Sequence, residues 1–172
     1  MPAAVLEKPQ TPTAFADRLY IAMRVADEVY GLDIAVVHTV ITPQAVTHVP
    51  KAPPFVKGVI NLRGRILPVI DLRARFGLPP RASEQERHAR IVVIETDGLS
   101  AGLIVDGVSE VLRLSPDAID PPSHLVSATG TECIVGIGRI PASPSAPDAE
   151  ERLMILLDVF KTVAPRISDI TD

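Results

Sequence analysis

The chain of 172 residues has no tryptophan, a single cysteine and an aromatic content of only 3%. Each shortage excludes something. One cysteine, Cys133, forbids an internal disulfide and cannot by itself build a multi-thiolate metal centre, which fits a reducing compartment. So few rings provide no stacking platform for nucleic-acid bases, and a net charge of −4 with a pI near 5.6 offers no basic field to a polyanion. No segment approaches about 18 uninterrupted apolar residues. The start, MPAAVLEKPQTPTAF, has no basic region followed by an apolar run of signal length. The expectation is a cytoplasmic protein that neither inserts into a membrane nor binds nucleic acid.

Catalytic signatures are missing too. The four histidines, His38, His48, His88 and His124, lack the close spacing of a helix-borne metal site. Cys133, ahead of IVGIG, reads as a small buried hydrophobe. The run GIGRI lacks the third glycine and following helix of a dinucleotide loop, there is no phosphate-loop lysine motif, and no serine sits in a Gly-x-Ser-x-Gly elbow. The acidic pairs Asp27–Glu28 and Glu150–Glu151 fall in turns, where solvated charges are ordinary. No catalytic residue, metal or cofactor is expected.

What the chain does have is 47% hydrophobic residues arranged in short runs rich in valine and isoleucine, broken by 17 prolines and 10 glycines. Residues 1–16 carry four alanines and three prolines without periodicity and read as a disordered leader. A fold beginning near Arg18 opens with two strands in RLYIAMRVADEVYGLDIAVVHTVI, turning at Ala26 to Glu28. Four prolines exclude a helix from TPQAVTHVPKAPPF. FVKGVINL and RILPVIDL follow as a hairpin, with Pro68 expected on an edge or at a bulge. DLRARFGL reads as a short helix stopped by Gly77, and PPRASEQERHAR as a polar connector.

Beyond that connector the pattern repeats. RLYIAMRVADEVYGLDIAVVHTVI is echoed by RIVVIETDGLSAGLIVDGVSEVL, FVKGVI by CIVGIG, and PVIDLRARF by ILLDVFKTV. Gly31 answers Gly102, Pro43 answers Pro116, Gly58 answers Gly136 and Asp71 answers Asp158. In the second copy PASPSAPDAEE replaces the tight NLRG turn and should be mobile. Two copies of about five short strands predict an all-β fold of two packed small barrels with one or two short helices. The expected division is a domain over residues 17–163, with subdomains of about 17–80 and about 88–163, followed by a tail at 164–172.

The hairpin GVINLRGRILPVIDL holds the residues hardest to explain by packing. Asn61 and Gly64 have turn chemistry. Arg63 at the tip is either an ordinary exposed arginine, an internal partner of Asp71 or Asp33, or a guanidinium fork held for another protein.

These residues carry a resemblance. YGLDIAVVHTVI, THVPKAPPFVKGVINLRGRILPVIDLRARFGL, GLIVDGVSEVLRLSPDAI, CIVGIG and LMILLDVF together resemble the CheW-like domain of bacterial chemotaxis coupling proteins, over about residues 18–163. The resemblance implies two five-stranded SH3-like barrels and a non-catalytic adaptor. Its implied partners are the cytoplasmic tip of a chemoreceptor and the regulatory domain of a CheA-type histidine kinase, in membrane-associated arrays reached through those partners. It implies that Arg63, Val37, Thr39 and Asn61 serve coupling, and that Gly58, Gly64 and Asp71 are structural in the interface hairpin. Thr39 departs from the family, standing where a glutamate is common. That points to a divergent receptor, or to a pathway controlling surface motility or cyclic-dinucleotide output. A small-ligand-binding barrel is a distant alternative.

Overall fold

A computed structural model of the chain describes residues 17–122, 133–140 and 151–163. The expected leader, the tail and residues 141–150 lie outside the described residues. Eleven strands are described: β1 (Arg18–Val25), β2 (Glu28–Asp33), β3 (Val37–Ile41), β4 (Val56–Leu62), β5 (Arg65–Asp71), β6 (Arg90–Thr96), β7 (Leu99–Val105), β8 (Gly107–Leu114), β9 (Ile119–Asp120), β10 (Ile134–Ile140) and β11 (Arg152–Leu157). Two short helices, α1 (Leu72–Arg75) and α2 (Val159–Val163), follow β5 and β11. The all-β expectation holds, with two short helices.

The strands form two sheets. One has six strands in the order β8-β1-β2-β11-β10-β9, and the other has five in the order β3-β6-β7-β5-β4. The sixth strand of the larger sheet, β9, is only two residues long. Neither sheet is built from one half of the chain. β1 and β2 leave the first half to join β8 to β11, while β6 and β7 leave the second half to join β3, β4 and β5. The sheets therefore cut across the division at about residues 80 to 88 that the sequence repeat suggests. The reason is that each copy's first hairpin pairs with the other copy's remaining strands, so the repeat is a unit of sequence but not of hydrogen bonding.

The exchange is reciprocal, and the registers match. β2 lies parallel to β11 with Gly31 opposite Leu156, and β7 lies parallel to β5 with Gly102 opposite Val69. Register shifts occur at Val56/Gly58 in β4 and at Ile134/Gly136 in β10. The Asp71 amide donates to the Phe55 carbonyl at 2.9 Å, and the Asp158 amide donates to the Cys133 carbonyl at 2.7 Å. Each aspartate then accepts from a backbone amide of the following helix, Arg73 at 3.0 Å and Lys161 at 3.1 Å. An aspartate at that position satisfies an amide that has no intrahelical acceptor.

Short strands with apolar residues on both faces suit this layering. On β1, Ile21, Met23 and Val25 enter a core shared by both sheets, together with Tyr30, Leu32, Ile70, Leu72, Val92, Ile94, Leu103 and Val105. Tyr20 and Ala22 instead join Leu114, Ile140, Met154 and Leu156 in a cluster confined to the larger sheet. Ile60, Leu67, Val69, Ile91, Val93 and Ile104 form the counterpart in the smaller one. Period-two alternation thus feeds two cores from one strand.

Local signals hold in detail. Gly77, at φ 72°, ends α1, with the Leu78 amide reaching the Arg73 carbonyl at 2.7 Å and the Gly77 amide reaching that of Ala74 at 3.2 Å. Pro68 differs from expectation, because β5 is an interior strand. It is tolerated because pairing with β7 runs from Val69 to Asp71, so Pro68 precedes the ladder that would need its missing N–H. Arg75 of α1 donates to the carbonyls of Thr162 at 2.9 Å and Lys161 at 3.0 Å, which ties the two helices together.

Because neither half owns a complete sheet, fragments cut between Ser83 and Glu84 should each fail to unfold cooperatively, while their mixture should recover a single transition. Circular dichroism melts of each fragment and of the mixture check this; a cooperative transition in either fragment alone contradicts the exchange.

Candidate functional site

The tip of the β4–β5 hairpin is a two-residue loop. Leu62 pairs with Arg65, and both loop residues are left-handed, Arg63 at φ 52° and Gly64 at φ 85°. Such loops match the twist of the flanking strands, and they favour Asn-Gly or Gly-Gly. Arg63 is therefore a departure: an L-residue with a Cβ costs about 1–2 kcal/mol there. Asn61 is one reason the turn forms regardless. Its Oδ1 accepts from the Gly64 amide at 2.9 Å, while its carbonyl accepts from Gln44 Nε2 at 3.1 Å.

The Arg63 side chain is exposed and makes no hydrogen bond or ion pair among the described residues. Its neighbour Arg65 is engaged, with Glu95 at 3.2 Å and the Ser100 hydroxyl at 2.9 Å. Neither aspartate considered as an internal partner reaches Arg63. Asp33 pairs with Arg18 at 3.5 Å and caps Ile34–Val36 through the Ala35 amide at 2.9 Å. Asp71 caps α1 and pairs with Arg81 at 3.2 Å. Ile66, on β5 beside the tip, is 63% exposed, so the hairpin presents an unpaired guanidinium and an apolar side chain together.

Gly58 lies lower on β4. Its φ is 147°, and a Cβ there would collide with the Thr47 carbonyl oxygen. Thr47 and Val59 exchange both backbone hydrogen bonds, at 2.8 and 2.9 Å, so the segment after β3 returns to the free edge of β4. Val37 and Thr39 lie on β3, at the other end of the strand order from β4. Val37 is half-buried and packs against the shared core. Thr39 is paired with Val93, and the valine that β3 exposes is Val40, at 37%. The sequence-selected residues thus divide between the hairpin tip (Asn61, Arg63, Gly64), its supporting bulge (Gly58), the base of β5 (Asp71) and β3 (Val37, Thr39).

Asp71 leads to residues that sequence reading missed. Arg73 Nη2 lies 2.6 Å from Asp106 Oδ2, with Nε at 3.0 and 3.1 Å from the two carboxylate oxygens. Arg81 Nε reaches the same carboxylate at 2.5 Å, and the Ala26 amide donates to it at 2.7 Å. Arg73 is anchored further by the Pro79 carbonyl at 2.9 Å and Gln85 Oε1 at 3.2 Å. The side chains of Arg73, Arg81 and Asp106 are each less than one-tenth exposed. Burial by itself pushes the Asp106 carboxyl up. The hydrogen bonds from Arg73, Arg81 and the Ala26 amide outweigh it and hold the group down at about 2. Asp106 raises Arg73 in return. The available signal was an aspartate inside an otherwise apolar run, GLIVDGV. Arg81 and Gln85 were hidden in a stretch that composition marks as a connector.

Residues 19–165 match the CheW-like domain. The chain is 32% identical over 145 residues to the chemotaxis protein CheW of Klebsiella aerogenes, covering 84% of this chain and 81% of that one. It is 29% identical over 156 residues to the chemotaxis protein CheW of Treponema pallidum, covering 88% and 86%. The crystal structure of the scaffolding protein TtCheW from Thermoanaerobacter tengcongensis superposes with a TM-score of 0.70 at 36% identity, covering 83% of this chain and 90% of that chain.

Two outcomes follow from these contacts. Gly58→Ala should cost about 3 kcal/mol, through clash and backbone strain, whereas Gly64→Ala, with open space around its Cβ position, should cost about 1 kcal/mol. Equal losses in urea unfolding would remove the steric role of Gly58. The contribution of ionised Asp106 is full above the unfolded value of 3.8 and is lost as pH falls through about 2. Asp106→Asn should therefore be about 3 kcal/mol less stable at neutral pH and show a shallower fall in stability between about pH 4 and 2. Melting curves across that range check it.

Proposed function

We propose a function from one premise: the chain belongs to the CheW-like domain family. Proteins of this family are non-catalytic scaffolds of chemotaxis signalling, and this chain is a chemotaxis adaptor. The finer reading is that it couples the cytoplasmic tip of a chemoreceptor to the regulatory domain of a CheA-type histidine kinase. Arg63 is a contact residue in that coupling.

The observation that carries this reading is the hairpin tip. An arginine occupies a left-handed position that glycine or asparagine would fill at lower cost, and it gains no internal partner among the described residues for doing so. The Asn61 bond supports the turn but not the choice of arginine in it, and among the described residues no contact of the Arg63 side chain offsets its cost, which supports a partner as the reason. A guanidinium has five donors in a fixed fork, suited to carboxylates or carbonyls of another chain, and Ile66 adds apolar area beside it. Small interfaces of this kind give affinities of roughly 10⁻⁶ M, in which one arginine anchor can dominate. Asn61 and Gly64 act by holding the tip, and Gly58 by keeping β4 against Thr47. Val37 and Thr39 on β3 belong to a separate contact face.

Association with the membrane arises through the receptor. Among the described residues no helix is long and apolar enough to cross a membrane. Thr39 in place of the family's common glutamate removes a charge from β3, which favours a receptor whose contacting residue there is not basic.

Arg63→Asn tests the reading. It should leave the melting temperature unchanged or raise it, because asparagine tolerates the left-handed turn, and it should weaken binding to receptor fragment or kinase domain at least tenfold. Calorimetric titration beside a thermal melt separates the two effects. Unchanged binding would return Arg63 to the ordinary turn charges, and a large drop in melting temperature would make it a structural strut.

A further inference from the structure

One charged cluster crosses the smaller sheet from its edge to the hairpin. Glu95, near the end of β6, holds a cation on each carboxylate oxygen: His38 Nδ1 lies 3.5 Å from Oε2, and Arg65 Nη1 lies 3.2 Å from Oε1. Arg65 Nη2 donates onward to the Ser100 hydroxyl at 2.9 Å. His38, Glu95, Ser100 and Arg65 stand on β3, β6, β7 and β5, which are neighbours in that order, so the cluster takes one residue from each of four adjacent strands.

The backbone is arranged for it. Glu95 and Ser100 are cross-strand partners, and by alternation Arg65, Glu95 and Ser100 share the face of Leu67, Val93 and Ile104, which puts them at one end of that apolar cluster. β3 pairs Val37 with Ile94 and Thr39 with Val93, which leaves His38 as the extra residue of a bulge. A bulge re-aims one side chain without ending the strand. The side chain re-aimed here is an imidazole, and it meets a carboxylate.

The two cations on Glu95 differ in kind. An arginine stays charged throughout, whereas a histidine ordinarily gains or loses its charge between about pH 5 and 8. With His38 neutral, Glu95 and Arg65 cancel. With it protonated, the cluster carries a net positive charge, and β3, an edge strand bonded in its sheet only to β6, gains an ion pair to that neighbour. Among the described residues the other charged groups on the packed neighbours are occupied elsewhere. Arg90, the remaining charged residue of β6, donates to the carbonyls of Ala89 and Arg87, and Asp33, ahead of β3, is taken by Arg18 and the Ala35 amide.

We propose that His38, Glu95 and Arg65 form a pH-responsive clamp between the edge strand β3 and the base of the Arg63 hairpin. As pH falls, protonated His38 pins β3 to Glu95, and Glu95 holds Arg65, which closes the two-residue loop by pairing with Leu62. The consequence for signalling rests on the adaptor reading above: β3 carries Val37 and Thr39, the tip carries Arg63, and the clamp sets how firmly one is held to the other, so acidification tightens partner binding. The three side chains are 39 to 54% exposed, so the response is graded. A change of about threefold is the scale of an exposed ion pair.

The clamp is tested first on the full chain alone. Isotope-labelled protein is titrated from about pH 8 to about pH 5.5, following the His38 imidazole, the β3 amides and the Arg65 guanidinium by NMR. All three should move with one midpoint. In His38→Gln and in Glu95→Gln the Arg65 signals should no longer follow that midpoint, while both variants keep the wild-type melting temperature, because the replaced side chains are exposed. Arg65 signals that stay still in the wild type, or that titrate unchanged in His38→Gln, overturn the clamp. Its role in signalling is read by calorimetric titration against a receptor cytoplasmic fragment and a CheA regulatory domain from the same genome, at about pH 6 and about pH 8. The wild type should bind at least one of them about threefold tighter at the lower pH, and both variants should lose that difference. Equal wild-type affinities at the two pH values, or a difference that survives in both variants, overturn the role in signalling. Wild-type protein that binds neither partner at either pH overturns the adaptor reading, and the NMR titration then decides the clamp by itself.

Discussion

The contact on which the arrangement depends is the carboxylate of Asp106. It sits in the single residue between β7, which belongs to the smaller sheet, and β8, which belongs to the larger. Arg73 comes to it from α1, Arg81 from the connector and the Ala26 amide from the β1–β2 turn. Four separated parts of the chain therefore meet at the point where the backbone changes sheets. Burying such a group gives little net stability compared with an apolar filling, since desolvation cancels most of the attraction. What it gives is a location: any other docking of the two sheets leaves buried charges unpaired.

Reciprocal exchange of hairpins makes the two sheets one mechanical unit. The shared core draws side chains from β1 and β2 of the larger sheet and from β5, β6 and β7 of the smaller. Arg75 joins the two helices across the copies, and Tyr30 stacks on Phe76 with ring centroids 5.0 Å apart. An adaptor needs its contact faces held in fixed relation, since a contact made at one face can bias another only through a rigid body between them. The hairpin tip and β3, at opposite ends of the smaller sheet's strand order, are carried on that body.

How much was legible in the sequence differs by residue. The NLRG turn could be read because a two-residue loop is local chemistry: Asn61 bonds its own turn and Gly64 supplies the positive φ. The helix stop at Gly77 is local in the same sense, whereas the capping role of Asp71 was seen only in the folded chain. The Arg73–Asp106 pair spans 33 residues and the Arg75 contact with α2 spans 86 or 87. Neither spacing has a periodicity to detect. Polar composition marked residues 79 to 90 as a connector, yet Arg81 within it is buried against two aspartates.

The sequence by itself determined the strand-rich class, the twofold repeat, the turns and the membership of a family, because hydrophobic alternation, Gly and Pro act over a few residues. Only the tertiary structure decided which strands share a sheet. The same period-two pattern serves any neighbour, and each copy's first hairpin could have paired with its own copy or with the other. Cross-sheet packing and the buried charges at Asp106 choose between those pairings. It is likewise the folded chain that leaves Arg63 without a partner among the described residues, since whether a charge is matched depends on neighbours that only folding brings near.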